Sequence, residues 1–194
     1  MQSTTPSTKW LATKLVMARL FRACWSATFV KQAKPAVDLA ALHNLSYGLF
    51  VLTAKEDQDN GCIVNTCVQV AEQPTRMAIS VQVENLTREM IERTGEFNVS
   101  VLTEDVPYET IRHFGFQTGR EVNKFEGYDG FKRSCNGLAY LTKNCNAMFS
   151  CKVVEKTDLG SHMMFIGEVT EAKVLSDAPA CTYAHYHAAI KPKY

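Results

Sequence analysis

Asn60-Gly61 stands between two apolar runs, residues 49–53 and residues 63–70, and no other local feature constrains the fold as strongly. Residues 57–61, Asp-Gln-Asp-Asn-Gly, read as a hairpin turn, so the flanking runs are expected to be antiparallel strands. The second run is untidy, with Asn65, Thr66 and Gln69 among Ile63, Val64, Val68 and Val70. Such a strand is either half exposed or holds something polar, flat and uncharged along one edge.

Other short runs with turn signals between them read as strands at residues 77–83, 97–102, 140–146, 147–156 and 165–175, with a turn at 157–160 joining the last two. Helices are few. Asp38 is placed to cap residues 39–45, Asn85-Leu86-Thr87 introduces a helix over 88–94 that Gly95 closes, and residues 107–114 form a third. This pattern predicts a mainly β fold with a few short helices, a closed or nearly closed barrel. There is no βαβ alternation, no GxGxxG and no P-loop, so a bound nucleotide would not sit on a Rossmann platform.

The chain of 194 residues is sized for one domain with a real core. Its formal charge of +1 hides an asymmetry. Residues 1–37 hold Lys9, Lys14, Arg19, Arg22, Lys31 and Lys34 and no acid, which leaves 15 basic against 20 acidic residues from Asp38 onward. A mildly acidic body argues against a nucleic-acid surface. No apolar run approaches the roughly 20 residues of a membrane span. The seven cysteines form no CxxC pair, which fits scattered thiols in a reducing cytoplasm and predicts no metal site. The basic, Ser- and Thr-rich stretch 1–37 reads either as an organelle transit peptide, which would place the protein in an organelle matrix, or as a dispensable extension. The working domain is expected to be 38–194.

Four segments stand out: Asn60 to Gln69; Ser80 with Asn85-Leu86-Thr87; His113 to Arg120 with Lys124-Phe125; and Gly160-Ser161-His162 with the strand after it. Singly, each has an ordinary structural reading. Asn60-Gly61 is then a turn, Asn85 or Thr87 a helix cap, His162 a surface histidine, and Arg120 with Glu121 and Lys124 a solvated charged face.

In order, however, the motifs "HNLSYGLFVLT", "NGCIVNTCVQV", "AISVQVENLT", "FNVSVLTED", "HFGFQTGR", "NKFEG", "GSHMMFIGEV" and "TYAHYH" resemble the flavin reductase-like proteins with an FMN-binding split β-barrel. More narrowly, they resemble the branch that forms the flavin domain of high-molecular-weight rubredoxins and flavoredoxin-like proteins. The resemblance covers residues 38–194. It implies a homodimer that binds FMN without a covalent bond, takes a hydride from NADH or NADPH, and passes electrons to a separate acceptor such as rubredoxin, a flavodiiron protein or free flavin. The alternative it leaves open is an FMN-holding electron-transfer module that oxidises no nicotinamide itself.

The resemblance also implies site residues. Gly61, Cys62, Ile63, Val64, Asn65 and Thr66 would meet the flat, neutral edge of the flavin ring with backbone N–H groups and uncharged side chains. Ser80, Asn85, Leu86 and Thr87 would meet the phosphate at a helix start. Relatives carry Asn-Lys where this chain has Gln82-Val83, so Arg120 or Lys124 would have to supply the missing cation. His162 would lie on the nicotinamide side, in a segment where Ser161 replaces an acid. Tyr183, His185 and Tyr186 would lie near the dimer contacts. Relatives that continue past "IKPK" do so into a rubredoxin module, whereas Tyr194 follows here, so the iron relay is expected on another molecule.

Overall fold

The computed structural model describes residues 36–193. The expectations for residues 1–35 lie outside the described residues. Within the remainder the fold is mainly β, as the alternating runs predict. The strands are β1 (Phe50–Lys55), β2 (Asp59–Val64), β3 (Cys67–Glu72), β4 (Thr75–Gln82), β5 (Glu96–Leu102), β6 (Phe131–Arg133), β7 (Ala139–Leu141), β8 (Cys145–Asp158) and β9 (His162–Val174). The helices are α1 (Leu86–Thr94) and α2 (Tyr108–Gly115), with a 3-10 turn at Leu39–Asn44 and short helical turns over Tyr183–His185 and Tyr186–Ile190.

Seven strands form one sheet in the order β2-β1-β5-β8-β9-β4-β3, every pair antiparallel. Its two edge strands, β2 and β3, are consecutive in the chain, with only Asn65 and Thr66 between them. In a flat sheet six strand spacings would put those edges roughly 29 Å apart. Three peptide steps from Val64 to Cys67 reach at most about 11 Å. The sheet must therefore curl until its edges nearly meet, and the Ser80 N–H donates to the Thr66 carbonyl at 3.4 Å beside that seam.

This geometry corrects the single strand expected over residues 63–70. The polar pair Asn65-Thr66 interrupts it, and the two halves belong to opposite edges of the sheet. The turn expected at Asn60-Gly61 is also displaced. The chain turns at residues 56–58, and Asn60 and Gly61 lie within β2, opposite Ala54 and Thr53. Gly61 is closely packed, since a Cβ there would sit 3.2 Å from the Leu52 carbonyl oxygen, the Phe114 ring and the Thr53 methyl. The strand expected at 140–146 is broken too. Ala139–Leu141 pairs with Phe131–Arg133 in a separate hairpin, and Asn144, at φ 52°, turns the chain into β8. The turn expected at 157–160 falls one residue later, with β8 running to Asp158 and β9 starting at His162.

Both faces of β1 are buried, which accounts for its unbroken apolar run. Leu52 and Ala54 join the barrel interior with Ile79, Phe97, Val99 and Phe165, whereas Leu49 and Val51 face a second core with Ile111, Phe114 and Leu141. Burial of each such large side chain stabilises the fold by about 1.5–3 kcal/mol. α1 presents Thr87, Met90 and Ile91 to the barrel at helical spacing. Its ends are set locally: Asn85 accepts from the Thr87 N–H at 2.9 Å, and Gly95 at φ 74° returns its N–H to the Ile91 carbonyl. The six cysteines among the described residues are free thiols, and burial pushes Cys67, Cys145 and Cys151 up to about 12.

Gly167 of β9 marks the tightest contact in the barrel. A Cβ there would lie 2.7 Å from the Phe97 ring and 2.8 Å from the Cys151 Cβ. Gly167→Ala is expected to cost about 1–3 kcal/mol, read as a lower urea midpoint at unchanged slope. An unaltered midpoint would show that Phe97 repacks freely.

Candidate functional site

A cavity of about 560 Å³ opens where the barrel seam, the start of α1, the end of α2 and the C-terminal turns converge. That volume suits a small organic cofactor. One wall comes from β2 and the seam: Cys62, Ile63, Val64, Asn65 and, across the seam, Ser80. Asn85 and Leu86 bring the start of α1, with its positive dipole and the Leu86 N–H, to the same space. His162 enters from the first position of β9, where it pairs with Gln82. Its Nδ1 lies 3.0 Å from the Ser161 hydroxyl, and the ring has no other partner among the described residues.

Nine of the thirteen expected site residues line this cavity: Cys62, Ile63, Val64, Asn65, Ser80, Asn85, Leu86, Lys124 and His162. The other four stand behind it. The Gly61 carbonyl accepts from Lys124 Nζ at 2.8 Å. Thr66 donates its hydroxyl to Asn65 Oδ1 at 3.1 Å. Thr87 is fully buried, and its hydroxyl accepts from Asn60 Nδ2 at 3.1 Å. Arg120 reaches away to Glu89, whose carboxyl it holds below the usual carboxylate range. The guanidinium of Arg88, near the start of α1, is likewise engaged, by the Val83 carbonyl and Glu92.

Strand alternation says which backbone groups of β2 are free. Because the Gly61 carbonyl points away from β1 to Lys124, Ile63, two residues on, turns its N–H and carbonyl the same way. A planar group against that edge would meet an N–H beside apolar Ile63 and Val64. Just behind, the Cys62 thiol lies against Thr87 and Asn85, and burial raises its pKa so that it stays protonated.

Lys124 is the one lysine among the buried residues. Its ammonium donates to the Gly61 carbonyl at 2.8 Å and the Phe114 carbonyl at 2.9 Å, tying the end of α2 to β2. The carbonyl of Lys124 meets His113 Nε2 at 2.7 Å, so both ends of the residue are held. Burial lowers its pKa, and Cys62 opposes that shift.

Part of the lining is an aromatic wall: Phe114 and Phe116 with Tyr183 and Tyr186. The two tyrosines were expected at dimer contacts, and their place on this wall had no local signal. They arrive through long-range pairing, with the Leu49 N–H on the Cys181 carbonyl at 3.0 Å and the Tyr183 N–H on the Tyr47 carbonyl at 2.8 Å. Glu84 also lines the cavity and was missed. Among the described residues no cluster of metal-ligating side chains is present, and no helix is long and apolar enough to cross a membrane.

Known proteins share this arrangement to different degrees. The family described as "Flavin reductase like domain" matches residues 42–192. High molecular weight rubredoxin of Moorella thermoacetica is 42% identical over 152 residues, 78% of this chain and 66% of that protein. A ferric-chelate reductase (NAD(P)H) of Archaeoglobus fulgidus is 37% identical over 158 residues, 81% of this chain and 93% of that protein. The crystal structure of flavoredoxin from Methanosarcina acetivorans shares the fold, with a TM-score of 0.61 at 19% identity, covering 74% of each chain.

The loop after α2, which lines the cavity, is tightly fitted at Gly119, where a Cβ would lie 2.3 Å from Asn60 Oδ1. Gly119→Ala is expected to displace the Asn60 amide from Thr87 and cost about 1–3 kcal/mol. Adding Asn60→Ala should relieve the clash, so the double variant should cost less than the two single changes together in a denaturation cycle. Simple additivity would show that the loop moves instead.

Proposed function

The chain belongs to the flavin reductase-like family of oxidoreductases, and on that premise we propose that it is an NAD(P)H-dependent FMN oxidoreductase that passes electrons to a separate acceptor. The observation that carries the reading is the division of labour around the cavity. A strand edge with a free N–H and neutral side chains lines the cavity, a helix start with hydroxyl and amide groups lies nearby, and the rings of Phe114, Phe116, Tyr183 and Tyr186 complete the lining.

The residues present fit FMN. Ile63 and Val64 supply apolar contact for a flat ring, and the Ile63 N–H and Asn65 supply neutral hydrogen bonds that bury no charge. Asn85, the Leu86 N–H and the Ser80 hydroxyl suit the phosphate. Thr87 acts on that end indirectly, through Asn60 and Cys62. With Arg88 and Arg120 engaged by Val83, Glu92 and Glu89, the phosphate is held mainly by N–H and hydroxyl donors, which favours a flavin that exchanges.

FMN, when bound, supplies the hydride-accepting chemistry. Hydride transfer asks no general acid or base of the protein, only alignment and exclusion of water. His162 orients the donor through a hydrogen bond at the cavity mouth, and Phe116, Tyr183 and Tyr186 give it an apolar face. The working domain on this reading is 38–194, with residues 1–37 dispensable to catalysis, and its place is the cytoplasm. Exposed Val68 and Val70 on edge strand β3 support assembly as a homodimer. The kinship with a protein named as a rubredoxin supports rubredoxin as one acceptor; a flavodiiron protein and free flavin are the others.

The test is the visible spectrum under anaerobic conditions on adding NADH and then NADPH. Rapid flavin bleaching by either is expected; bleaching by dithionite alone would make the protein a carrier, and failure to bind FMN would remove the reading. His162→Ala should slow bleaching roughly tenfold, the value of one lost hydrogen bond of about 1.4 kcal/mol, at nearly unchanged FMN affinity. Asn85→Ala should weaken FMN more than riboflavin; equal weakening would move the phosphate elsewhere.

A further inference from the structure

Lys124 is 3% exposed, lines the cavity, and has no carboxylate within 4.0 Å among the described residues. Its two carbonyl partners stabilise an ammonium without neutralising it, and a buried charge without a counter-ion is costly. Of the titratable groups around the same space, none supplies the missing negative charge. Cys62, from β2, is held as a thiol by burial. Glu84, before α1, makes no ion pair with Lys124, and burial raises the Tyr186 phenol so that it stays neutral.

The ammonium has three donors, and two are spent on Gly61 and Phe114. The third is free on the outer edge of β2, the edge to which Ile63 turns its N–H. We propose that Lys124 is the fixed cation that pairs with the flavin ring once the ring has taken a hydride. This rests on the function proposed above. A hydride carries two electrons and one proton from the reduced nicotinamide, which leaves as its oxidised cation. The oxidised ring is neutral, so it gains one negative charge unless water supplies a second proton. Lys124 meets that charge in a site of low dielectric, where a fixed cation acts most strongly. The lysine is thereby charge-compensated only in the reduced complex, and it binds the reduced ring in preference to the oxidised one.

Dissociation constants for oxidised and dithionite-reduced FMN and riboflavin, in the full-length protein and in Lys124→Met, test this directly. The variant is expected to lose about tenfold or more of its affinity for both reduced flavins, with little change for the oxidised forms. Equal loss in both redox states would reduce Lys124 to a structural tie. Loss confined to FMN would assign it to the phosphate. Either result overturns the proposal. Should Lys124→Met fail to fold, the unaltered protein still decides through its proton uptake on two-electron reduction at an electrode, with no hydride donor present, in mildly acid buffer. One proton supports a stabilised anion and two overturn it. Failure of the unaltered protein to bind either flavin in either state would overturn the flavin reading itself, and this proposal with it.

Discussion

Two residues carry the chain between opposite edges of a seven-stranded sheet. Asn65 and Thr66 are too short a link for any flat arrangement, so the curl of the sheet, the near-meeting of its edges and the cavity at the seam follow from that one connection. The same polar pair marks the break in the strand, its side chains bonded to each other. The cavity therefore lies where the barrel is unable to close, and its walls come from elements distant in sequence.

Behind those walls runs a buried polar framework. Asn60 holds Thr87, Thr87 and Asn85 meet the Cys62 thiol, and Lys124 ties Gly61 to Phe114. The first two join β2 to the start of α1 and the third joins it to the end of α2. The framework fixes the relative positions of a helix start and a strand edge, the two features a phosphate and a flat ring each need. Surface ion pairs such as Arg93 with Glu56 and Lys143 with Asp129 contribute little by comparison.

Much of this was legible in the sequence where local chemistry decides the outcome. Asn85 and Gly95 end α1 as their side chain and backbone freedom predict, and apolar alternation marks most strands. The failures share a cause. Asn60-Gly61 looks like a turn because that dipeptide favours one, yet here the glycine makes room for Phe114 and the asparagine bonds Thr87, both demands of tertiary packing. Tyr183 and Tyr186 reach the cavity through pairing with residues 47–49, and no short-range pattern records a contact across more than 130 positions. Lys124 and Arg120 look alike in sequence, both basic residues within two positions of a glutamate in one charged loop. Only the packing separates a buried ammonium from an exposed guanidinium paired with Glu89.

The pairing of β4 with β9 has a consequence for how the chain matures. Arg76 lies opposite Glu168, and β9 is the strand that joins the β4-β3 ribbon to the rest of the sheet. Until β9 has emerged from the ribosome, β3 and β4 form only a hairpin with a free edge, tethered to β2 by two residues. Closing so distant a contact is entropically slow, and loop closure must precede the hydrophobic gain that rewards it. The cavity is thus among the last features of this domain to form, and a nascent chain cannot complete it until β9 and the turns that carry Tyr183 and Tyr186 have been made.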